Sequence, residues 1–374
     1  MSAVDATREQ NLGARVVWLS SGSAALVAIT LLGAYWPAAT SHDEDIERVT
    51  SHLGASGPAA PIQAQDPGTQ PGDLVVADLR AIRHWARLEL ADIEKAGFAW
   101  ADVSTPGRWR HGPGRNETHQ AFSTYQRAQK RNFDAARKVI VVRPVGAWPA
   151  RLRHLPPLIT RYLMLYFRRP VRWEDAHGLP DRRRVNGDGT RVHLQYLTAP
   201  ILDRLEKTLP NDAIVHLGLT VGDLYPDRDW GFVFGMADLE KRVGVVSLAR
   251  LLPGFWGFVN TPMARRLTLL RSLKVIAHET GHMLGINHCR AFSCVMSGCT
   301  DLVEHDTTPA HLCPLCMSKL GWRLNLDVAR RYRDLAQFYM RIGLSREARW
   351  YHRQAVRLAD ADKAAGTPTR ASLR

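Results

Sequence analysis

Residues 278–288 read His-Glu-Thr-Gly-His-Met-Leu-Gly-Ile-Asn-His, and this run constrains the chain more than any other. Two histidines at i and i+4 project from one face of a helix and reach a single metal. The third, His288, lies six residues beyond His282. A straight helix cannot return it to the same face, so the helix must stop and the chain must turn. Gly285 stands at the turning point, where glycine supplies the left-handed backbone that ends helices. Glu279, beside the first histidine, lies near the metal-facing side without having to be a ligand, the place for a general base. A single histidine on a mixed helix is ordinarily a packed or surface residue. Three histidines, a glutamate and a glycine at these offsets, behind the apolar residues Leu273, Val275, Ile276 and Ala277, define a metal site.

Such a site needs a body to hold it, and 374 residues are enough for a substantial core and more than one structural unit. The composition is that of a globular protein, and no period of repeat length recurs. The net charge of +14 comes mostly from arginine in an arginine- and alanine-rich chain. No zinc-finger or ribonucleoprotein spacing accompanies it, so no nucleic-acid partner is expected. Behind a short tail (1–15), residues 16–36 carry no charge and are long enough to cross a bilayer, as an anchor or a signal segment. Arg8 and Arg15 precede this run, and Asp43, Glu44, Asp45 and Glu47 follow it. That asymmetry orients an anchored chain with its bulk outside the cytoplasm; secretion after cleavage is the alternative. Residues 37–72, rich in Pro, Ala, Gly and Ser, read as a disordered linker.

A helical region is expected over 73–136, beginning with the amphipathic stretch from Asp73 to Phe98. Alternating strands and helices follow over 137–324: a buried strand at Val139–Val142, a helix at Leu158–Phe167, a short strand at Val171–Trp173 and a helix at Ala199–Leu209. Apolar runs at Ala213–Leu219, Phe232–Phe234 and Val243–Leu252 complete the pattern. The class is α+β, a mixed sheet covered by helices. The stretch near Val243–Leu248 is weighed as an edge for an extended peptide against a central core strand. From 325 to 374 the chain reads as a C-terminal helical hairpin and tail, jointed at Ile342-Gly343-Leu344-Ser345.

Cys289, Cys294, Cys313 and Cys316 form the pattern C-x4-C followed by C-x2-C. That spacing suits a four-thiolate structural zinc; two disulfides are the alternative. Cys289 cannot easily share the metal of His288, because neighbouring side chains of an extended segment diverge. Cys299 is left over as a free thiol.

The run from His278 to Cys316, with Met296 two residues after Cys294, resembles the archaemetzincin family within the metzincin clan of zinc metallopeptidases. So do Thr220-Val221-Gly222-Asp223-Leu224-Tyr225-Pro226, Phe232-Val233-Phe234-Gly235 and Arg242-Val243-Gly244-Val245-Val246-Ser247-Leu248. The likeness covers about half the chain. It implies a metzincin-type catalytic domain with two Zn2+ per chain. His278, His282 and His288 hold the catalytic zinc, Cys289, Cys294, Cys313 and Cys316 the structural one. Glu279 is the base toward a zinc-activated water, and Met296 lies in the turn beneath the metal. The implied substrate is a peptide or protein. The family is usually cytoplasmic, which stands against the membrane segment at 16–36. The rival class is a membrane-tethered binding protein whose zinc only supports the fold. An intact Glu279 favours an enzyme.

Overall fold

The computed structural model of the chain describes residues 120–129, 133, 136–187 and 192–364, all within one compact unit, Ala59–Arg374. The anchor or signal expected at 16–36, the linker at 37–72 and the helix from Asp73 lie outside the described residues. Among the described residues no helix is long and apolar enough to cross a membrane.

The centre is a five-stranded sheet in the order β2-β1-β5-β8-β7, built from β1 (Val139–Val145), β2 (Val171–Trp173), β5 (Ala213–Thr220), β7 (Gly235–Asp238) and β8 (Val243–Ser247). β1, β2, β5 and β8 run parallel, and β7 is antiparallel to β8. Every residue of β5 and β8 is buried, as expected of strands covered on both faces. The period of two sorts their side chains. Val243 and Val245 join a small cluster with Ile201 and Leu205 of α3 (Thr198–Lys207), whereas Val246 belongs to the main core with Leu273 and Met283 of α4 (Pro262–Met283). A Cβ at Gly244 would stand 3.1 Å from the Met283 sulfur, so this glycine lets the end of α4 lie close to the sheet.

The first α2 residues extend the expected helix to Leu155–Phe167, and β1 runs three residues past its expected end. The apolar run Phe232–Phe234 is not a strand; Val233 makes one isolated bridge to Leu224, and β7 begins at Gly235. Placing a sheet edge at Val243–Leu248 is corrected: β8 pairs on both sides, and the edge on that flank is β7. A second sheet, β3 (Arg183–Gly187), β4 (Val192–Leu197) and β6 (Asp223–Tyr225), was not anticipated. It is braced by Asp223, whose carboxylate takes two 2.8 Å hydrogen bonds from Arg250 and one of 2.8 Å from Gln195.

Beyond α5 (Leu302–Thr307) and α6 (Pro314–Leu324), α7 (Val328–Arg341) and α8 (Ser345–Ala364) pack on one another. Tyr339 and Tyr351 stack across them at 5.4 Å. Gly343, at φ +75°, makes the joint.

His216 on β5 sets an acid limit on this sheet. It is fully buried; its Nδ1 faces the Leu205 carbonyl at 3.0 Å and its Nε2 accepts from Arg143 at 3.2 Å. Burial lowers its pKa from 6.5 to about 4. The neutral ring therefore contributes stability above pH 6.5 that is lost as pH falls toward 4, about 3 kcal/mol. Urea unfolding at pH 7 and pH 4.5 is expected to show this loss, and His216→Gln to show less of it than the parent. An equal loss in both proteins contradicts the assignment.

Candidate metal centre

The site grows from the end of α4. Thr261 caps this helix, its hydroxyl accepting from the Ala264 amide at 3.1 Å, with Pro262 in the first turn. At the other end Gly285, at φ +83°, donates to the His282 carbonyl at 2.7 Å, and Ile286 donates to the Gly281 carbonyl at 3.1 Å. This is a Schellman stop, and it turns the chain so that His288 comes back toward His278 and His282. The turn is held from outside by α1 (Phe122–Ala128). The Tyr125 hydroxyl donates to the Leu284 carbonyl at 2.9 Å, and the Gln120 side-chain amide donates to the Gly285 carbonyl at 3.0 Å. Of the helical region expected over 73–136, α1 is the described helix.

His278, His282 and His288 each place a ring nitrogen within 4.8 Å of the others. The Nδ1 of His278 is 2.8 Å from the Val295 carbonyl, and that of His282 is 2.7 Å from the Ile286 carbonyl. A carbonyl only accepts, so in the neutral rings both Nδ1 atoms carry the proton and both Nε2 atoms present lone pairs. Those Nε2 atoms lie 2.9 Å apart. Two acceptors at that distance repel; a cation between them removes the conflict. Burial and the neighbouring histidines hold His282 well below the usual imidazole range, so it is neutral and competent as a ligand. The donor set fits a three-histidine zinc with an open fourth position.

Glu279 is buried, and burial alone raises its carboxyl to about 8. It faces Gly235 at the start of β7, where a Cβ would stand 2.7 Å from its Oε1. Gly235→Ala is therefore expected to push the carboxylate aside. Overpacking of this kind costs about 1–3 kcal/mol. Thermal unfolding checks this; an alanine variant as stable as the parent removes the constraint.

Cys289, Cys294, Cys313 and Cys316 are all buried, unbridged, and bring their sulfurs within 4.8 Å of one another. Cys289 and Cys313 Sγ are 3.7 Å apart, which is the edge of a tetrahedron with metal–sulfur distances of about 2.3 Å and far from the roughly 2.04 Å of a disulfide. Backbone amides are aimed at the sulfurs: Cys313 and Met296 donate to Cys294 Sγ at 3.2 and 3.4 Å, and Cys316 donates to Cys313 Sγ at 3.4 Å. Hydrogen bonds from the other three cysteines hold Cys289 well below the usual thiol range; Cys313 is pushed up by burial and then by Cys289, and Cys316 chiefly by its contact with Cys289. A negative Cys289 sulfur thus opposes ionisation of Cys313 and Cys316, and a dication reverses that opposition. Cys299 stands apart, 3.7 Å from His305 Nδ1, with its thiol pushed up to about 12 by burial.

Met296 packs against α4, its sulfur so close to Gly281 that a Cβ there would stand 2.5 Å away. The structure brings the three histidines together in one group and the four cysteines in another. The carbonyls of Val295 and Ile286, and Gly235, were not anticipated.

Three imidazoles converging beside a buried carboxylate form the donor set of a three-histidine metal site. Residues 187–321 match Peptidase family M54, and this segment bears out the archaemetzincin resemblance. Archaemetzincin-2 of Mus musculus is 36% identical over 168 residues, 39% of this chain and 47% of that protein. Archaemetzincin-1 of Homo sapiens is 33% identical over 176 residues, 41% of this chain and 35% of that protein. The chain thus spans about half the length of the first of these relatives or less. Among solved structures, an archaemetzincin from Methanopyrus kandleri is 28% identical and covers 52% of this chain and 99% of its own, with a TM-score of 0.41.

Proposed function

We propose that the protein is a zinc-dependent peptidase that hydrolyses peptide bonds with Glu279 as general base. The convergence of one ring nitrogen each from His278, His282 and His288, with the Nε2 atoms of the first two 2.9 Å apart, inside the segment that matches Peptidase family M54, carries this reading. Zinc, when bound, supplies Lewis acidity that polarises a carbonyl and acidifies water.

The chain's own residues do the rest. The Val295 and Ile286 carbonyls fix the rings of His278 and His282 and hold their protons at Nδ1. His278 and His288 are half-buried while His282 is buried, so access is from the side of the first two. Glu279 takes a proton from the attacking water and delivers it to the departing amine. Its burial favours the protonated acid; a neighbouring dication favours the carboxylate. A cation held by the three histidines would thus leave Glu279 as the carboxylate that accepts the proton.

A second, structural Zn2+ at Cys289, Cys294, Cys313 and Cys316 belongs to the same reading, supported by the sulfur spacing and the amides aimed at it. The substrate is a peptide or protein. The uncharged run at 16–36, basic before and acidic after, supports a membrane anchor with the catalytic domain outside the cytoplasm. The domain outside an intact cell should then be cleaved by added protease, and full protection would overturn that placement. For the activity, a peptide mixture incubated with the zinc-loaded chain should yield new termini by mass spectrometry. These should vanish on chelation and return with zinc. Products indifferent to chelation would contradict the reading.

A further inference from the structure

The two candidate metal groups are joined by a single turn. Ser297 donates its amide to the Cys294 carbonyl at 2.9 Å, closing Cys294-Val295-Met296-Ser297. The Ser297 hydroxyl accepts from the Cys294 amide and donates to the Phe292 carbonyl, both at 3.2 Å. Within these four residues the first supplies a sulfur to the cysteine group. The second gives its carbonyl to His278 Nδ1 at 2.8 Å. The third gives its carbonyl to the Cys289 amide at 2.8 Å and its own amide to Cys294 Sγ at 3.4 Å. Its side chain packs beneath Gly281. The Val295 amide in turn donates to the His311 carbonyl at 2.9 Å, two residues before Cys313. His288 and Cys289, consecutive in sequence, belong to different groups.

We propose that the turn Cys294–Ser297 positions His278, and that metal at the four cysteines and metal at the three histidines are thereby coupled, each raising the affinity of the other. This rests on the reading that both groups bind zinc. The physical reason is the Val295 carbonyl. It fixes the proton of His278 on Nδ1 and the direction of the Nε2 lone pair, and loss of such a partner costs about 10–100-fold in metal affinity. That carbonyl is held in place because the residues on either side of it are tied into the cysteine group. A cation held by the four sulfurs would fix Cys294 Sγ, which accepts from the Met296 and Cys313 amides, and with it the turn that carries the Val295 carbonyl. Four sulfurs not tied to one centre hold the turn less firmly. Ser297 is thus a positioning residue that acts on His278 through the turn.

Coupling through binding is reciprocal by thermodynamic necessity, and this gives the test. Cobalt(II) is titrated into the metal-free full chain. Thiolate-bound cobalt shows an intense charge-transfer absorption that cobalt on histidine and water lacks, so the two groups are read separately. In His282→Ala, which disables the histidine group, the cysteine group should bind cobalt more weakly by some factor in the range of about 5–150. In Cys316→Ser, which disables the cysteine group, the histidine group should weaken by the same factor. Ser297→Ala keeps all seven ligands and should weaken both, by about 10–100-fold at the histidines. Should Cys316→Ser not fold, His282→Ala and Ser297→Ala decide the matter. Affinities that ignore the state of the other group and are unmoved in Ser297→Ala overturn the coupling while leaving two metal sites. Absence of any thiolate absorption overturns the two-zinc reading itself, and the coupling with it.

Discussion

Glu279→Gln is expected to retain the metal at the three histidines and to hydrolyse peptides about 10²–10⁴-fold more slowly than the parent, a loss of roughly 3–5 kcal/mol of transition-state stabilisation. The substitution preserves shape against Gly235, where the fit is tight, and it leaves the rings of His278 and His282 on their carbonyl partners. Only the ability to take a proton is removed. Steady-state cleavage with metal content measured on the same samples separates this outcome from loss of the metal. A glutamine variant with both metal and activity intact would remove Glu279 from the chemistry.

The second large effect is on stability. Cys313→Ser should lose the metal of the cysteine group and about 4 kcal/mol or more of folding stability, the range that loss of a structural metal reaches. The choice of position and residue isolates the cause. Cys313 is the N-cap of α6, its sulfur accepting from the Cys316 amide, and serine is among the best N-caps. The helix start is therefore conserved while one of four buried sulfurs is withdrawn. Zinc content should fall by one per chain, and thermal unfolding should shift down. An unchanged melting temperature with unchanged zinc would mean that the four cysteines are ordinary core.

What the sequence revealed of this site follows from which interactions leave a trace in residue identity. Ligands do: the offsets of His278, His282, His288 and the four cysteines were readable because metal chemistry admits few side chains. Gly285 was readable because its backbone conformation excludes most others. The Val295 and Ile286 carbonyls were not, since a backbone acceptor can belong to any residue. Gly235 was hidden for a different reason. Its small size answers to Glu279, 44 residues away, and only the pairing of β7 beside α4 shows why.

The fold divides along a similar line. β1 and β5 were legible as apolar runs, because burial on both faces demands them; α2 and α3 were legible from helical spacing, and the half-buried β2 from its short Val-Arg-Trp run. β3 and β4 were overlooked. Arg183, Arg184 and Asn186 break any apolar run, and in β4 the alternation of Val192, Leu194 and Tyr196 is not a buried face: Val192 and Leu194 are exposed, while Gln195 is the buried residue. The place of β8 inside the sheet could not be read from its composition. Its pairing on both sides puts it in the interior, and the edge fell to Gly235–Asp238, where Gly-Met-Ala-Asp carries no β-branched or aromatic residue to mark a strand.

The three histidines carry the proposed activity, and one measurement reaches them directly. Zinc is titrated into the metal-free full chain while peptide cleavage and bound zinc are followed together, for the parent and for His282→Ala. The parent should gain activity in step with the zinc that His282→Ala fails to bind, and the variant should stay at background however much zinc is added. Cleavage by the variant at the parental rate, or a parent with both groups filled that cuts no peptide, would contradict the reading of this site as that of a zinc peptidase.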